Sequence, residues 1–295
     1  MGDRDTHTLV DAVWSHQSVW SQTANLLKAR IDRLRSLMLA LAIVSAVLTT
    51  LAAQVTTQRR GGQALALAAG VAVATVPLVR ARLGRDAVSR WTRARAVSEQ
   101  LKAEVYKFLA NVAPFRGADR DGQLEERTRR VRKAASDLLE HTAGLAPAVR
   151  EAPAVRDADS YVTGRLQPQI GWYRSRSERL SRRLAWARRV EVALSVLGAL
   201  LAVWAAVRNA DAAAAWVAVV TTVTAAVSSH VAASRWEYQL VEYLRTAAEL
   251  EELQESWLST DVHDEAAADA LVEHCEHVVS IQNDGWMAKW TADSS

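Results

Sequence analysis

Four long apolar runs without charge alternate with strongly charged stretches along the chain. The runs cover residues 36–55, 64–79, 192–207 and 212–233. A helix needs about 20 residues to cross a hydrocarbon core of roughly 30 Å. The first and fourth runs reach that length alone, and the other two reach it when polar neighbours at their ends extend toward the headgroups. The pattern therefore predicts four transmembrane helices in two hairpins, at about 36–55 and 64–79 and at about 190–207 and 212–233.

Tryptophan residues stand at both ends of the third and fourth runs. Trp186 and Trp204 are 18 residues apart, which is about 27 Å on a helix. Trp216 and Trp236 are 20 residues apart, or about 30 Å. Because tryptophan prefers the two membrane interfaces, we predict that all four are interface anchors. The alternative is a soluble bundle with four buried helices, but such long Ala-rich runs normally carry polar residues on a side that faces water.

Basic residues are concentrated on one side of each predicted hairpin. Arg and Lys precede the first helix, follow the second and precede the third, whereas the short loops around residues 58–62 and 208–211 are poorer in charge. The positive-inside rule therefore places both termini and the central segment in the cytoplasm. We expect a multi-pass protein of the bacterial inner membrane. The basic clusters are better explained by topology and contact with anionic lipids than by nucleic acid, which we do not expect as a partner.

The two halves of the chain repeat at an offset of about 149 residues. With that shift, 36–55 falls on 185–204 and 64–79 falls on 213–228. Pro and Gly residues between 144 and 171 mark a linker. We therefore divide the chain into a first repeat, 1–143, a linker, 144–171, and a second repeat, 172–295. The predicted fold is all-α, with two tandem transmembrane hairpins and a cytoplasmic, coiled-coil-like helical bundle.

A charged helix with apolar residues in 3-4 spacing follows each hairpin. We call these two apolar stripes the seams, and they keep the register of the repeat. The seams predict a packing or interaction surface, either inside one chain or between chains. Their principal residues are Trp91, Leu101, Val105 and Phe108 in the first half and Tyr243, Leu250 and Trp257 in the second.

The polar residues contain no credible catalytic signature. There is no phosphate-binding Gly-rich loop and no nucleophile elbow. His274 and His277, with His263 nearby, have a spacing that suits a metal, but a solvated helix face explains them better because no second ligand pair is evident. The single cysteine, Cys275, excludes an intramolecular disulfide. We therefore expect no enzymatic activity, catalytic residue, metal site or cofactor.

Hydroxyl side chains form a stripe on the fourth apolar run. Thr221, Thr224 and Ser228 follow at i, i+3 and i+7, and His230 lies near the cytoplasmic end. Polar groups inside a bilayer tend to face protein or water, so these four are candidate pore-lining residues. The alternative is structural, because Ser and Thr can bond the carbonyl one turn back or let helices pack closely.

The segment after the first hairpin carries a family resemblance. Residues 93–109 (RARAVSEQLKAEVYKFL) resemble the SLATT domains, which are bacterial two-transmembrane effector domains associated with nucleotide-sensing conflict systems. Residues 243–257 are a divergent counterpart, and 273–286 resemble the end of such domains. The resemblance implies a membrane effector that forms pores or perturbs the membrane and ends cell growth. Because the chain shows no fused sensor, cyclase or protease domain, the trigger is expected to bind the helical part or to be a separate nucleotide-sensing or activating protein.

These observations favour one function over two others. The leading hypothesis is a non-enzymatic effector that acts in the lipid bilayer and forms a homo-oligomer, because four helices per chain cannot enclose a wide channel. The alternative is a membrane-anchored scaffold whose seams recruit a soluble partner. A transporter is a weaker third hypothesis, since no charged substrate site is evident within the spanning helices.

Overall fold

The computed structural model describes residues 2–55, 59–208, 211–260 and 264–292. Side chains are described for 6–55, 60–208, 212–260 and 264–280. Residues 58, 209 and 210 of the predicted hairpin loops and His263 lie outside the described residues, as do the side chains of the motif that ends at 286.

Helices account for nearly all of the described chain. The α-helices are α1 (Gly2–Gln54), α2 (Arg59–Ala81), α3 (Arg85–Leu109), α4 (Arg120–Ala134), α5 (Ala158–Tyr161), α6 (Gln167–Arg208), α7 (Asp211–Ser234), α8 (Trp236–Leu258) and α9 (Glu265–Ala292). A short 3-10 helix spans Ser136–His141, and a π-helical turn spans Val162–Leu166. The described ranges contain no strand, and the predicted all-α class is confirmed.

Four helical stretches are long and apolar enough to cross a membrane: Thr6–Gln54, Arg60–Ala81, Ala158–Arg208 and Ala212–Leu258. Their most apolar windows are almost entirely unburied. For example, Leu67 is 72% exposed, Leu200 is 63% exposed and Val207 is 75% exposed. Contiguous apolar surface of this kind needs a non-aqueous environment. The prediction of four apolar helices of membrane-spanning length is confirmed, and the described residues do not bury them as the alternative of a soluble bundle requires.

The chain divides into two compact units. The bundle unit consists of residues 1–29, 85–177 and 241–295, and the hairpin unit consists of 30–84 and 178–240. Each unit contains segments from both halves of the sequence. The two units therefore do not correspond to the two predicted repeats, and the repeat boundaries stay a prediction. The helices nevertheless recur at the repeat spacing: adding 149 to the bounds of α3 gives 234 and 258, and α8 spans Trp236–Leu258.

The second part of the segment predicted as a linker is helical. The helix α5, the π turn and the start of α6 all lie between residues 158 and 171. Pro168 stands in this helical stretch and would normally collide with the carbonyl four residues earlier, at Gly164. Gly164 belongs to the π turn, and the wider turn accommodates the proline ring.

In the bundle unit, the first seam packs against the N-terminal part of α1. Gln17 Nε2 donates a hydrogen bond to Ser98 Oγ at 2.9 Å. The rings of Trp14 and Tyr106 meet edge to face with centroids 6.1 Å apart. Farther along, the Lys28 ammonium lies 4.6 Å from the centre of the Trp91 ring.

The second seam makes an equivalent contact with the first turns of α6. Tyr243 lies against Trp172 and Tyr173, with ring centroids 5.7 Å and 5.9 Å apart. At the other end of α8, the Trp257 indole donates a hydrogen bond of 2.9 Å to Asp159. Each seam helix of the bundle unit therefore packs on a helix that precedes it in its own half of the chain.

The hairpin unit contains a close approach of α6 and α7. A Cβ atom placed on Gly198 would lie 3.3 Å from Val220 Cγ1, which is tighter than ordinary contact. Gly70 in α2 is a helical glycine with nothing within 4 Å of its Cβ position. Small residues of this kind let apolar helices pack closely where burial of apolar area gives little driving force.

We predict that Gly198→Leu loosens the hairpin unit, because the larger side chain forces α6 and α7 apart at a cost of about 1–3 kcal/mol. Gly70→Leu is the matched control, since open space surrounds that position. The measurement is the thermal unfolding midpoint of the detergent-solubilised protein. Equal midpoints for the two variants would show that the approach at Gly198 is not a packing constraint.

Candidate functional sites in the spanning helices and the bundle

The threonine hydroxyls on α7 bond to their own helix. Thr221 Oγ1 donates to the Val217 carbonyl at 2.9 Å, and Thr224 Oγ1 donates to the Val220 carbonyl at 2.8 Å. These bonds are the structural alternative considered for the stripe. They use the hydroxyl hydrogens and leave oxygen lone pairs on the helix surface, so the pore-lining assignment of both residues stays a prediction.

Ser228 differs from the threonines because its hydroxyl reaches another helix. Its Oγ donates to Glu191 Oε1 on α6 at 2.5 Å. Glu191 lies inside the predicted span 190–207, and sequence reasoning passed over it because the uncharged run begins one residue later. The signal that could have found it is a carboxylate inside the layer that Trp186 and Trp204 delimit.

The four predicted anchor tryptophans are exposed or partly exposed, and His230 lies against one of them. The His230 ring meets the Trp236 ring edge to face, with centroids 5.8 Å apart. Trp186 is 66% exposed and Trp204 is 55% exposed, whereas Trp216 and Trp236 are partly exposed. Indole rings on the outside of apolar helices are suited to a headgroup layer. Their role as anchors stays a prediction.

The seam residues lie in the interior of a single chain. Six of the seven are buried and Tyr243 is partly exposed; the buried ones are Trp91, Leu101, Val105, Phe108, Leu250 and Trp257. Each seam thus contributes to the core of the bundle unit. Such side chains stabilise the unit by burial and are not available to a soluble partner unless the bundle opens.

The bundle unit also contains a buried ion pair that was not foreseen. Arg165 of the π turn meets Glu276 of α9 through two parallel bonds, from Nε to Oε1 at 2.9 Å and from Nη2 to Oε2 at 3.1 Å. The Tyr161 hydroxyl also donates to Glu276 Oε1, at 2.9 Å. Arg165 is 5% exposed and Glu276 is 4% exposed. This is the bidentate geometry in which arginine binds carboxylate most strongly.

A second carboxylate, Glu99 of α3, completes the buried cluster. It lies 2.9 Å from Arg95, 3.1 Å from Lys102 and 4.0 Å from Arg165. Burial by itself would raise the pKa of Glu99, but Lys102, Arg95 and Arg165 outweigh it and lower the pKa to about 2. The carboxylate is therefore charged at neutral pH. Arg165 thus lies between one carboxylate from each half of the chain.

Sequence reasoning missed this cluster for identifiable reasons. Arg165 fell in the segment taken as a linker, and Glu276 fell in a polar cluster considered for metal binding. A signal was present, because Val272, Cys275 and Val279 form a buried stripe on α9 and Glu276 adjoins it. A charged residue beside such a stripe needs a buried partner. The sequence does not say which residue that partner is.

The cysteine and histidines of α9 show no arrangement for chemistry. Burial, followed by the nearby Glu276 carboxylate, raises the pKa of Cys275 to about 12, so the thiol stays protonated. His274 Nε2 lies 3.8 Å from Glu249, and both side chains are largely exposed. Within the described ranges, no group of three or more His, Cys, Asp or Glu residues could hold a metal. The expected absence of a metal site stays a prediction.

A polar groove of about 340 Å³ lies between α3 and α9. Its rim carries charged side chains that are already paired: Lys107 with Glu273 across the groove, and Glu104 with Arg127 at 2.8 Å. No uncompensated charge among these four groups points to a ligand. We therefore assign no binding function to this groove.

The two halves of the chain match two family models. Residues 161–286 match the model described as SMODS and SLOG-associating 2TM effector domain 1. Residues 18–122 match a model described as a protein of unknown function, DUF4231. The resemblance to SLATT domains is confirmed, although the match lies in the second half and the longest quoted motif lies in the first. No curated protein and no solved structure matches the chain.

We predict that Glu276→Gln lowers the free energy of unfolding by about 3 kcal/mol, because it leaves Arg165 buried without its full counter-charge. The matched control is Glu251→Gln. Its partner is Arg174, and both side chains are substantially exposed, so the expected loss is below about 1 kcal/mol. Denaturant unfolding in detergent measures both. Replacing the pair with Arg165→Met and Glu276→Leu should recover most of the stability, and equal losses in the two single variants would contradict the assignment.

Proposed function

We propose that this chain, whose residues 161–286 match a two-transmembrane effector domain, is a non-enzymatic membrane effector. Copies of it associate in the bacterial inner membrane and make that membrane permeable to ions when a stress or infection signal activates them. The observation that carries this proposal is the outer surface of α7, where polar groups lie on an otherwise apolar spanning helix.

The polar side chains on that surface are not buried by other parts of the same chain. Thr221 and Ser228 are exposed, and Thr224 is partly exposed. Around them the same hairpin unit exposes large aliphatic side chains, which suit lipid. Hydrocarbon cannot solvate a carboxylate such as Glu191 or a row of hydroxyl oxygens, so this strip is better suited to other copies of the chain or to water.

Association of several copies follows from the number of spanning helices. Four helices fill the space between them with side chains and enclose no wide path. A path lined by α7 therefore needs α7 from several subunits arranged around an axis, and closed symmetry is the usual result of such contacts. The hydroxyl strip then faces the axis, and the aliphatic surface faces lipid.

The bundle unit supplies rigidity and receives the signal. Its seams are buried, and its cluster of Arg165, Glu276 and Glu99 fixes helices from both halves of the chain. By the positive-inside rule the bundle lies in the cytoplasm with both termini. The described residues include no nucleotide-binding motif, so an activating protein from the same conflict system is the proposed trigger.

The scaffold hypothesis finds less support in this geometry. It relied on the seams to recruit a soluble partner, but six of the seven seam residues named are buried within one chain. A scaffold also gives no reason for hydroxyls and a carboxylate on the surface of spanning helices.

We predict that purified protein makes liposomes leaky, and that Thr224→Leu with Ser228→Leu abolishes the leak. Leakage is measured by potassium efflux and dye release at rising protein-to-lipid ratio, where mass action drives association without an activator. The matched control is Ser45→Leu with Thr49→Leu. These hydroxyls have the same spacing on α1 and bond to their own helix, so the control should leak like the wild type.

Two results would count against the proposal. Liposomes that stay tight at every ratio, with the protein inserted, would exclude permeabilisation by this chain. An equal leak from both double variants would show that the α7 strip does not line the path.

A further inference from the structure

Glu191 and Ser228 lie inside the layer that the tryptophans delimit. Glu191 follows Trp186 by five residues on α6, or about 7.5 Å along the helix axis. Ser228 precedes Trp236 by eight residues in sequence. The two side chains are nevertheless in contact, at 2.5 Å. A carboxylate side chain therefore lies near the cytoplasmic end of the predicted spanning helices, hydrogen-bonded to a hydroxyl of the next helix.

The Ser228 hydroxyl has a different hydrogen-bond acceptor from the threonine hydroxyls on α7. Thr221, Thr222 and Thr224 each donate to the carbonyl four residues earlier, whereas Ser228 donates to Glu191. This bond satisfies one carboxylate oxygen and orients the group. The second oxygen of Glu191 and the lone pairs of Ser228 remain as acceptors on a surface that one chain leaves at least partly exposed.

The arginine one turn before Glu191 is directed elsewhere. Arg188 Nη2 lies 2.8 Å from Glu237 Oε1, and both of these side chains are about 70% exposed. This outer ion pair is well placed in water or headgroups. The contact described for the Glu191 carboxylate is with a hydroxyl, which carries no positive charge.

We infer that Glu191 and Ser228 form a binding point for small monovalent cations at the cytoplasmic mouth of the membrane path, and that this point makes the path select cations over anions. The inference rests on the proposed function and adds the charge selectivity of the path. In a symmetric assembly, each subunit contributes one carboxylate to a ring around the axis.

The chemistry of the two side chains favours monovalent cations. A ring of carboxylates attracts cations and repels anions, as in cation-selective pores generally. One carboxylate and one hydroxyl per subunit provide few ligands at fixed geometry. Ca²⁺ requires six to eight converging oxygens, and tight sites hold it with several carboxylates. A sparser set binds a partly hydrated monovalent ion weakly enough to release it again.

The test is the reversal potential of currents from the reconstituted full chain in a planar bilayer with a tenfold KCl gradient. Wild-type protein should prefer K⁺ over Cl⁻. Glu191→Gln should lower the K⁺/Cl⁻ permeability ratio at least about threefold, Glu191→Asp should retain it, and Glu191→Lys should invert the preference. Glu178→Gln is the matched control on the same helix, about 20 Å away along the axis, and should behave like the wild type.

The outcomes separate this inference from the function on which it rests. Wild-type currents that are unselective or prefer anions overturn the cation site and leave permeabilisation standing, as does an unchanged ratio in Glu191→Gln. Absence of any current from inserted wild-type protein overturns the proposed function and the cation site together. If Glu191→Gln fails to insert, the wild-type ratio and the Glu191→Lys inversion decide the question.

Discussion

The bundle unit depends on one buried ion pair, Arg165 with Glu276. A charge that is nearly sealed from water is tolerable only with a partner in good geometry, and here two parallel bonds and a tyrosine hydroxyl provide it. Glu99 of α3 joins Arg165 at 4.0 Å. Because Glu99 lies in the segment 18–122 and the other two lie in 161–286, the cluster connects the two segments that match separate family models. A substitution at Arg165 or Glu276 leaves the other residue as a buried charge without its main partner.

The opposite constraint governs the spanning helices, where polar groups are costly and few. The apolar windows of the hairpin unit expose aliphatic side chains, and the three threonine hydroxyls on α7 bond to their own helix. Glu191 is an exception, because it places a carboxylate on a predicted spanning helix, and the Ser228 hydroxyl donates a hydrogen bond to it. In a membrane, a polar group kept against such a cost marks a place where water, an ion or another subunit is expected. The proposed permeability and its charge preference both follow from that exception.

Local patterns allowed much of this architecture to be predicted, and tertiary contacts account for what was missed. Run length predicted the four apolar helices, and the 3-4 period of Leu101, Val105 and Phe108 predicted residues that are buried, because both patterns belong to single helices. The partner of Glu276 lies 111 residues away, and no periodicity encodes such a pairing. Glu191 was passed over because the uncharged run begins one residue later, and its contact with Ser228 joins residues 37 positions apart on different helices. Residues 162–166 were predicted as part of a linker because Gly164 and Pro168 usually end helices, whereas here they accompany a π turn.

The proposed function requires both hairpins to enter the membrane in the same sense, with the bundle unit in the cytoplasm. Cys275 is buried and its pKa is raised to about 12, so it gives little background with thiol reagents. Cysteine can therefore be introduced at one position at a time and tested with a bulky, membrane-impermeant maleimide on spheroplasts. Gln63 and Ala212 lie beside the two hairpin loops, and Val149 is fully exposed in the central segment. The account predicts that Gln63→Cys and Ala212→Cys are labelled from outside and that Val149→Cys is labelled only after the membrane is opened. Labelling of Val149→Cys in intact spheroplasts, or of only one of the two loops, would contradict it.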